Sequence, residues 1–254
     1  VAIARTYPAY DDDGTEAVHE IRHLYEDAIG AAEKLIYLET QYLTSRAIHD
    51  ALLARLRDDG RPRLQIVIVV PHGSDSLKEQ IALGTAEDAT LASIDHAARS
   101  SGHSLRVLYS APDDGSSESP PTFIHSKLLI VDDEFMTLGS ANCTNRSLAV
   151  DSELNLAWEC RKEQPSLGKS MARLRASLVS EHAGVAHDER LEKIEGFTER
   201  IDELSRTGKR LRPRSLPARS DECEPLPIMQ IAFDPEGPLL EGALAELLGQ
   251  RRQA

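Results

Sequence analysis

The sequence predicts an α/β fold: a mixed sheet sandwiched by helices, with a helical C-terminal appendage. Three observations predict it. Leu64 to Val70 is a near-continuous apolar run of strand length, the pattern of a strand buried on both faces. Around it, strand-like runs alternate with segments of helical period, in the order β-α-β-α-β. A β-hairpin then follows, with Phe123 to Val131 as its first strand and Phe135 to Leu138 as its second.

The elements follow in order. Asp11-Asp12-Asp13-Gly14 reads as a turn, and Thr15 as the cap of a helix with Val18, Ile21, Tyr25, Ala28 and Ile29 on one face. Leu35 to Glu39 is a strand. Ser45 caps a second helix carrying Ile48, Leu52, Leu53 and Leu56, which Asp59-Gly60-Arg61-Pro62 ends. Pro71-His72-Gly73-Ser74 is a loop, and a helix runs from about Ser76 to Ser100. Leu105 to Tyr109 is a third strand. Residues 110–121 are rich in Asp, Gly, Ser and Pro, and read either as a border of a substrate entrance or as a solvated linker. Glu153 to Trp158 is strand-like, and residues 166–182 form an amphipathic helix with Leu167, Met171, Leu174 and Leu178. A charged helix is expected from Asp188 to Ser205, an edge strand from Ile228 to Phe233 and a short helix from Leu239 to Leu248. These elements suggest a main unit over residues 1–184 and a helical C-terminal extension over 185–254.

Composition narrows the function. A chain of 254 residues, 41% hydrophobic, can bury a sizeable core. The net charge of −13 argues against a general nucleic-acid binder, so no nucleic acid is expected as a partner. The three cysteines, Cys143, Cys160 and Cys223, have no metal spacing, and no His/Asp/Glu cluster has zinc spacing. No apolar run approaches the roughly 18 residues that span a bilayer, and no signal peptide is read. Arg206, Lys209, Arg210, Arg212, Arg214 and Arg219 form a basic stretch without acids. It either meets anionic lipid headgroups or packs back on the domain, and we favour the second reading.

The chemistry concentrates in His125-Ser126-Lys127-Leu128-Leu129-Ile130-Val131-Asp132, followed by Gly139-Ser140-Ala141-Asn142. Alternation along an extended chain projects His125 and Lys127 from one side, about 7 Å apart. An imidazole, with an unperturbed pKa of roughly 6.5, serves as nucleophile, base or acid near neutrality. An ammonium beside it balances negative charge that builds on phosphoryl oxygens. Asp132 sits where the run turns polar and reads as a turn residue with a supporting role. The small residues at Gly139 and Ala141 allow close approach to an anion, and Ser140 and Asn142 add side-chain donors. Asp151 and Glu153 are the candidates to hold the imidazole's other nitrogen, with Glu153 preferred.

The set His-x-Lys-x4-Asp-x6-Gly-Ser-x-Asn resembles the signature of the phospholipase D superfamily. Asn145-Arg146-Ser147 and Asp151-Ser152-Glu153 resemble the continuation after the second copy of the motif in two-motif phospholipases D. Ile36-Tyr37-Leu38-Glu39-Thr40-Gln41-Tyr42-Leu43 resembles the segment that opens their second half, and residues 172–182 the helix that closes it. The chain departs from the family pattern at Thr40 (usually Asn), Leu43 (usually Phe) and Cys143 (usually aliphatic). Ser140, where cardiolipin synthases usually carry Thr, places it nearer the phospholipase branch.

The resemblance implies metal-independent, cofactor-free phosphodiester hydrolysis or transphosphatidylation of phospholipids through a phosphohistidine. Two motif copies face each other, one histidine forming the covalent intermediate and the other transferring protons. By position His125 is then the general acid/base, with Lys127, Asp132 and Glu153 beside it, and Glu39, Gln41, Tyr42, Ser140 and Asn142 contact substrate. A competing reading keeps Tyr42 in the core and pairs Glu39 with Arg146. The expected partners are a phospholipid at a membrane surface and either the first catalytic half of the same parent or a homodimer mate. The expected location is cytoplasmic or peripheral at the inner membrane surface, and the isolated half is expected to be inactive. The alternatives are a stand-alone homodimeric phosphodiesterase or nuclease and a cardiolipin synthase-like phosphatidyltransferase.

Overall fold

Leu35–Glu39 is buried at all five positions, as a strand at the centre of a layered fold must be. The computed structural model describes residues 1–9, 16–73, 83–112, 121–161, 164–208, 210–217 and 234–236. Its strands are β1 (Ala2–Tyr7), β2 (Val18–His19), β3 (Leu35–Glu39), β4 (Gln65–Val69), β5 (Ser104–Ser110), β6 (Leu128–Val131), β7 (Phe135–Gly139), β8 (Glu153–Glu159) and β9 (Leu211–Pro213). They form one sheet in the order β2-β1-β8-β7-β6-β3-β4-β5-β9. β3, β4 and β5 are parallel neighbours, and the other pairings are antiparallel. The expected mixed sheet between helical layers is present.

The helices are α1 (Glu20–Ala31), α2 (Arg46–Leu56), α3 (Thr85–Ser100), α4 (Asn145–Ala149), α5 (Pro165–Ala183) and α6 (Phe197–Thr207). Alternation along the strands splits the core in two. Ile36, Leu38, Ile66, Ile68 and Leu129 pack with Ile21 and Ile29 of α1, Leu52 of α2 and Leu91 of α3. Leu35, Tyr37, Val67, Val69 and Ile130 pack on the opposite face with Val179 of α5 and Phe197 and Ile201 of α6. Each fully buried Leu or Ile contributes about 1.5–3 kcal/mol.

Several boundaries differ from the sequence reading. The first helix starts at Glu20 rather than after Thr15, because Val18 and His19 pair with Tyr7 and Thr6 as a short strand. The hairpin strand begins at Leu128 rather than Phe123, because its partner β3 ends at Glu39, opposite Leu128. The helix expected from Asp188 to Ser205 is a 3-10 turn at Glu189–Glu192 and then α6, with Gly196 at φ 75° before the second piece. The appendage expected to be helical also adds a strand, since β9 pairs with β5 at the sheet edge. In the basic stretch, Arg214 lies between Glu87 and Asp88 at 2.6 and 2.7 Å, and Arg210 donates to Thr122 at 2.6 Å. That is packing back on the domain. Lys209, Arg219, Ile228 to Phe233, Leu239 to Leu248, and the first part of the helix expected from Ser76 lie outside the described residues.

Ser45 caps α2 as expected, accepting from the Ile48 N–H at 3.4 Å. Among the described residues of the tail, Asp234 packs against the domain. Its carboxylate accepts from Thr44 Oγ1 at 2.6 Å, Asn145 Nδ2 at 3.1 Å and the Arg146 N–H at 2.8 Å.

Candidate functional site

The parallel strands β3, β4 and β5 share one carboxyl end, the usual place for ligands in open α/β sheets. The antiparallel strands deliver the motif there as well. The start of β6, the end of β7 and the start of β8 all lie beside the end of β3, because Glu39 opposes Leu128, Leu128 opposes Leu138, and Gly139 opposes Asn155. Two segments far apart in sequence, 39–42 and 125–127, meet there, with the Ser140–Glu153 pair close enough for Glu153 to act on Lys127.

Lys127 is buried, and its ammonium donates to the His125 carbonyl at 2.7 Å and to Gln41 Oε1 at 3.3 Å. Burial lowers its pKa from the ordinary lysine value, while the nearby Glu153 carboxylate pulls the other way. An ammonium has three N–H donors, and among the described residues two partners engage this one. The His125 ring is exposed and near Phe123, with ring centroids 6.0 Å apart. Among the described residues no side chain hydrogen-bonds it. Glu153, expected to hold this ring, instead accepts from the Ser140 hydroxyl. Asp151, the other candidate, is engaged by Arg146 at 2.7 Å, which also removes the reading that pairs Arg146 with Glu39.

Asp132 is a turn residue, as expected, with φ 55°. Its carboxylate accepts the backbone N–H groups of Glu33, Lys34 and Leu35 at 2.7, 2.8 and 2.7 Å, which anchors the start of β3. Its neighbour Asp133, at φ 56°, pairs with the fully buried Arg175 at 2.6 Å. Gly139 admits no side chain: a Cβ there would sit 2.1 Å from Asn155 Oδ1 and 2.3 Å from the Leu154 carbonyl. That contact brings β7 against β8 and leads directly into Ser140. Asn142 Oδ1 is buried with no partner among the described residues.

Gln41 and Tyr42 line an open cleft of about 380 Å³ that His72, Tyr109, Asp88 and Arg214 also border. His72 stacks on Tyr109 with centroids 4.1 Å apart. Tyr42 is therefore at the cleft rather than in the core. Glu39 is not at that surface. It is only 2% exposed, and Tyr37, Ser126 and His182 surround its carboxylate. The departures at Thr40, Leu43 and Cys143 are all buried: Thr40 Oγ1 donates to the Tyr42 carbonyl at 2.9 Å, and Leu43 bridges to Cys143. They belong to the packing behind the site. Burial pushes the Cys143 thiol up to about 12.

Ser126 and His182 were not singled out as site residues by the sequence. Ser126 carries no chemical signal beyond its place inside the motif. His182 lies 143 positions from Glu39, a contact no local pattern encodes.

Comparison with known proteins bears on the family and the fold. The family model described as cardiolipin synthase, PLD-like domain, matches residues 25–175, more than half of the chain. Phospholipase D zeta 1 of Arabidopsis thaliana is 27% identical over 216 residues, covering 68% of this chain and 20% of its own length. Phospholipase D alpha 1 of Vigna unguiculata is 39% identical over 72 residues, 26% of this chain and 9% of its own. The chain thus spans about a fifth or less of these relatives' lengths. A phosphatidylserine synthase of Haemophilus influenzae Rd KW20 superposes with a TM-score of 0.50 at 15% identity, over 82% of this chain and 47% of that one, a likeness of fold. With the family model spanning residues 25–175, more than half of its length, the chain belongs to the phospholipase D superfamily.

Proposed function

We propose that this chain supplies one catalytic half of a phosphodiester-cleaving enzyme that acts on phospholipids, by hydrolysis or by exchange of the headgroup alcohol. The observation that carries the reading is Lys127, buried at the carboxyl end of β3 with two hydrogen-bond partners for its ammonium among the described residues, beside an exposed His125 and a Gly139 that leads into Ser140. In this reading the Lys127 ammonium and the Asn142 amide N–H groups donate to the phosphoryl oxygens, and the Ser140 hydroxyl joins them by turning its proton from Glu153 to the substrate. The orphaned Asn142 oxygen is an acceptor that a substrate hydroxyl would satisfy.

His125 acts on the same phosphate as general acid and then as general base. It protonates the leaving alcohol as a histidine of the facing half attacks phosphorus, then takes a proton from water or an acceptor alcohol as the phosphohistidine is cleaved. Two displacements in place of one lower each barrier. Glu153 orders Ser140 through its hydrogen bond, and Asp132 holds the hairpin turn. No helix among the described residues is long and apolar enough to cross a membrane. In this reading the protein meets its lipid at the bilayer surface.

The half-site reading has a direct test. Purified residues 1–254, verified as monomer by light scattering, are assayed for release of choline from phosphatidylcholine vesicles, alone and with a separately expressed first half. The reading expects turnover only in the mixture. Robust turnover by the monomer would overturn the half-site reading. Activity that appears only as the chain dimerises would support the homodimeric alternative instead.

A further inference from the structure

Glu39 closes β3 with a carboxylate that three donors surround. Tyr37 donates its hydroxyl to Oε1 at 2.5 Å, and His182 Nε2, from the last turn of α5, lies 3.0 Å from the same oxygen. Ser126 donates its hydroxyl to Oε2. Burial alone would raise the pKa of this carboxyl, but the hydrogen bonds from His182, Ser126 and Tyr37 outweigh it and hold it below the usual range. A charge so deep in the fold persists only when its oxygens are satisfied.

Ser126 is the residue between His125 and Lys127. The chain before Leu128 has left the strand ladder, and apart from Ser126 it is held by the Lys127 ammonium, which donates to the His125 carbonyl at 2.7 Å and to Gln41 Oε1 at 3.3 Å. Among the described residues, Ile124 buries its side chain under α5, and the Lys127 carbonyl accepts the Gly139 N–H at 3.2 Å. Ile124 and Ser126, two positions apart, both turn toward the α5 layer. In an extended chain that sends His125 and Lys127 to the opposite side.

We propose that Glu39, backed by His182 and acting through Ser126, is a positioning residue that fixes the direction in which His125 and Lys127 leave the backbone. The inference rests on the function proposed above for its kinetic consequence, and on geometry alone for the tether. Glu39 touches no reacting atom. Its effect is indirect, and a misplacement of about 1 Å at reacting groups costs on the order of 10²-fold in rate.

The test compares Ser126→Ala, which removes the tether, with Ser126→Thr, which keeps a hydroxyl. Backbone hydrogen exchange of residues 124–127 is read in the chain, and kcat and KM for phosphatidylcholine in the complete enzyme, with His125→Ala as the reference for chemistry. Ser126→Ala is expected to speed exchange of that segment about tenfold, as loss of one hydrogen bond to a charged acceptor would. It is expected to lower kcat about 10- to 100-fold with KM within about twofold, and Ser126→Thr to restore most of both. Exchange unchanged in Ser126→Ala overturns the tether. Faster exchange with kcat unchanged reduces Glu39 to a structural role and overturns the positioning claim. Full turnover in His125→Ala removes the proposed function instead, and the exchange result then decides the tether by itself. Should Ser126→Ala fail to fold, Glu39→Gln combined with His182→Gln is read in the same two measurements.

Discussion

Asp132 Oδ1 accepts the backbone N–H of Leu35 at 2.7 Å, so the acid of the His-x-Lys-x4-Asp motif is used to pin a central strand. Its two other bonds, to the N–H groups of Glu33 and Lys34, serve the same purpose. Asp132→Ala leaves three N–H groups without an acceptor and places Ala at φ 55°. The expected loss in chemical denaturation is about 2–4 kcal/mol. Asp132→Asn keeps an acceptor and tolerates the left-handed backbone, so it loses less and, once folded, retains turnover.

Asp133 and Arg175 tie the same turn to α5. Arg175 is fully buried, donates to the Leu191 carbonyl at 2.7 Å and lies 4.4 Å from the Phe197 ring centroid. Arg175→Met strands the Asp133 carboxylate and is expected to cost about 3–5 kcal/mol. Adding Asp133→Asn, which fits φ 56°, should recover part of that loss in a double-mutant cycle of thermal or denaturant stability.

Glu39 gives a pH dependence with a defined sign. Its folded pKa lies below the ordinary value, so the folded state binds that proton less readily than the unfolded chain. The contribution is therefore fully present above about pH 4.3 and is lost as pH falls through the folded value. Glu39→Gln is expected to be less stable at neutral pH and to show a shallower fall in acid. Parallel stability curves for the two proteins between pH 7 and 3 would contradict this.

Cys143 should be inert while the protein is folded, because its buried thiol titrates near 12 and the thiolate is the reactive form. At pH 8, iodoacetamide is expected to spare Cys143 and to label Cys160, which is partly exposed. Peptide mapping before and after denaturation reads the difference.

Much of this fold was legible from periodicity. Leu35–Glu39 matches the reading residue for residue, and Gln65–Val69 within one residue at each end, because continuous apolar runs of strand length have few other homes. The errors fall where non-local pairing decides. β2 exists only because Tyr7 and Thr6 are within reach of Val18 and His19, and β6 is cut short where β3 ends. His125, Lys127, Ser140 and Glu153 lie toward the carboxyl end of β3, whereas Asp132 lies at the other end, beside Leu35, and its turn role was legible from the polarity change at that point. The partners were less legible. Glu153 with Ser140, Asp151 with Arg146 and Glu39 with His182 are choices among nearby acids and donors that only the packed fold makes.

The central claim is that His125 transfers protons to and from a phosphodiester. It is tested most directly by the rate of choline release from phosphatidylcholine by His125→Ala, placed in the complete enzyme and checked for native stability. General acid/base help of this kind contributes about 10²–10⁴-fold, so a loss in that range or beyond is expected. A His125→Ala enzyme within tenfold of the unmodified rate would contradict the account.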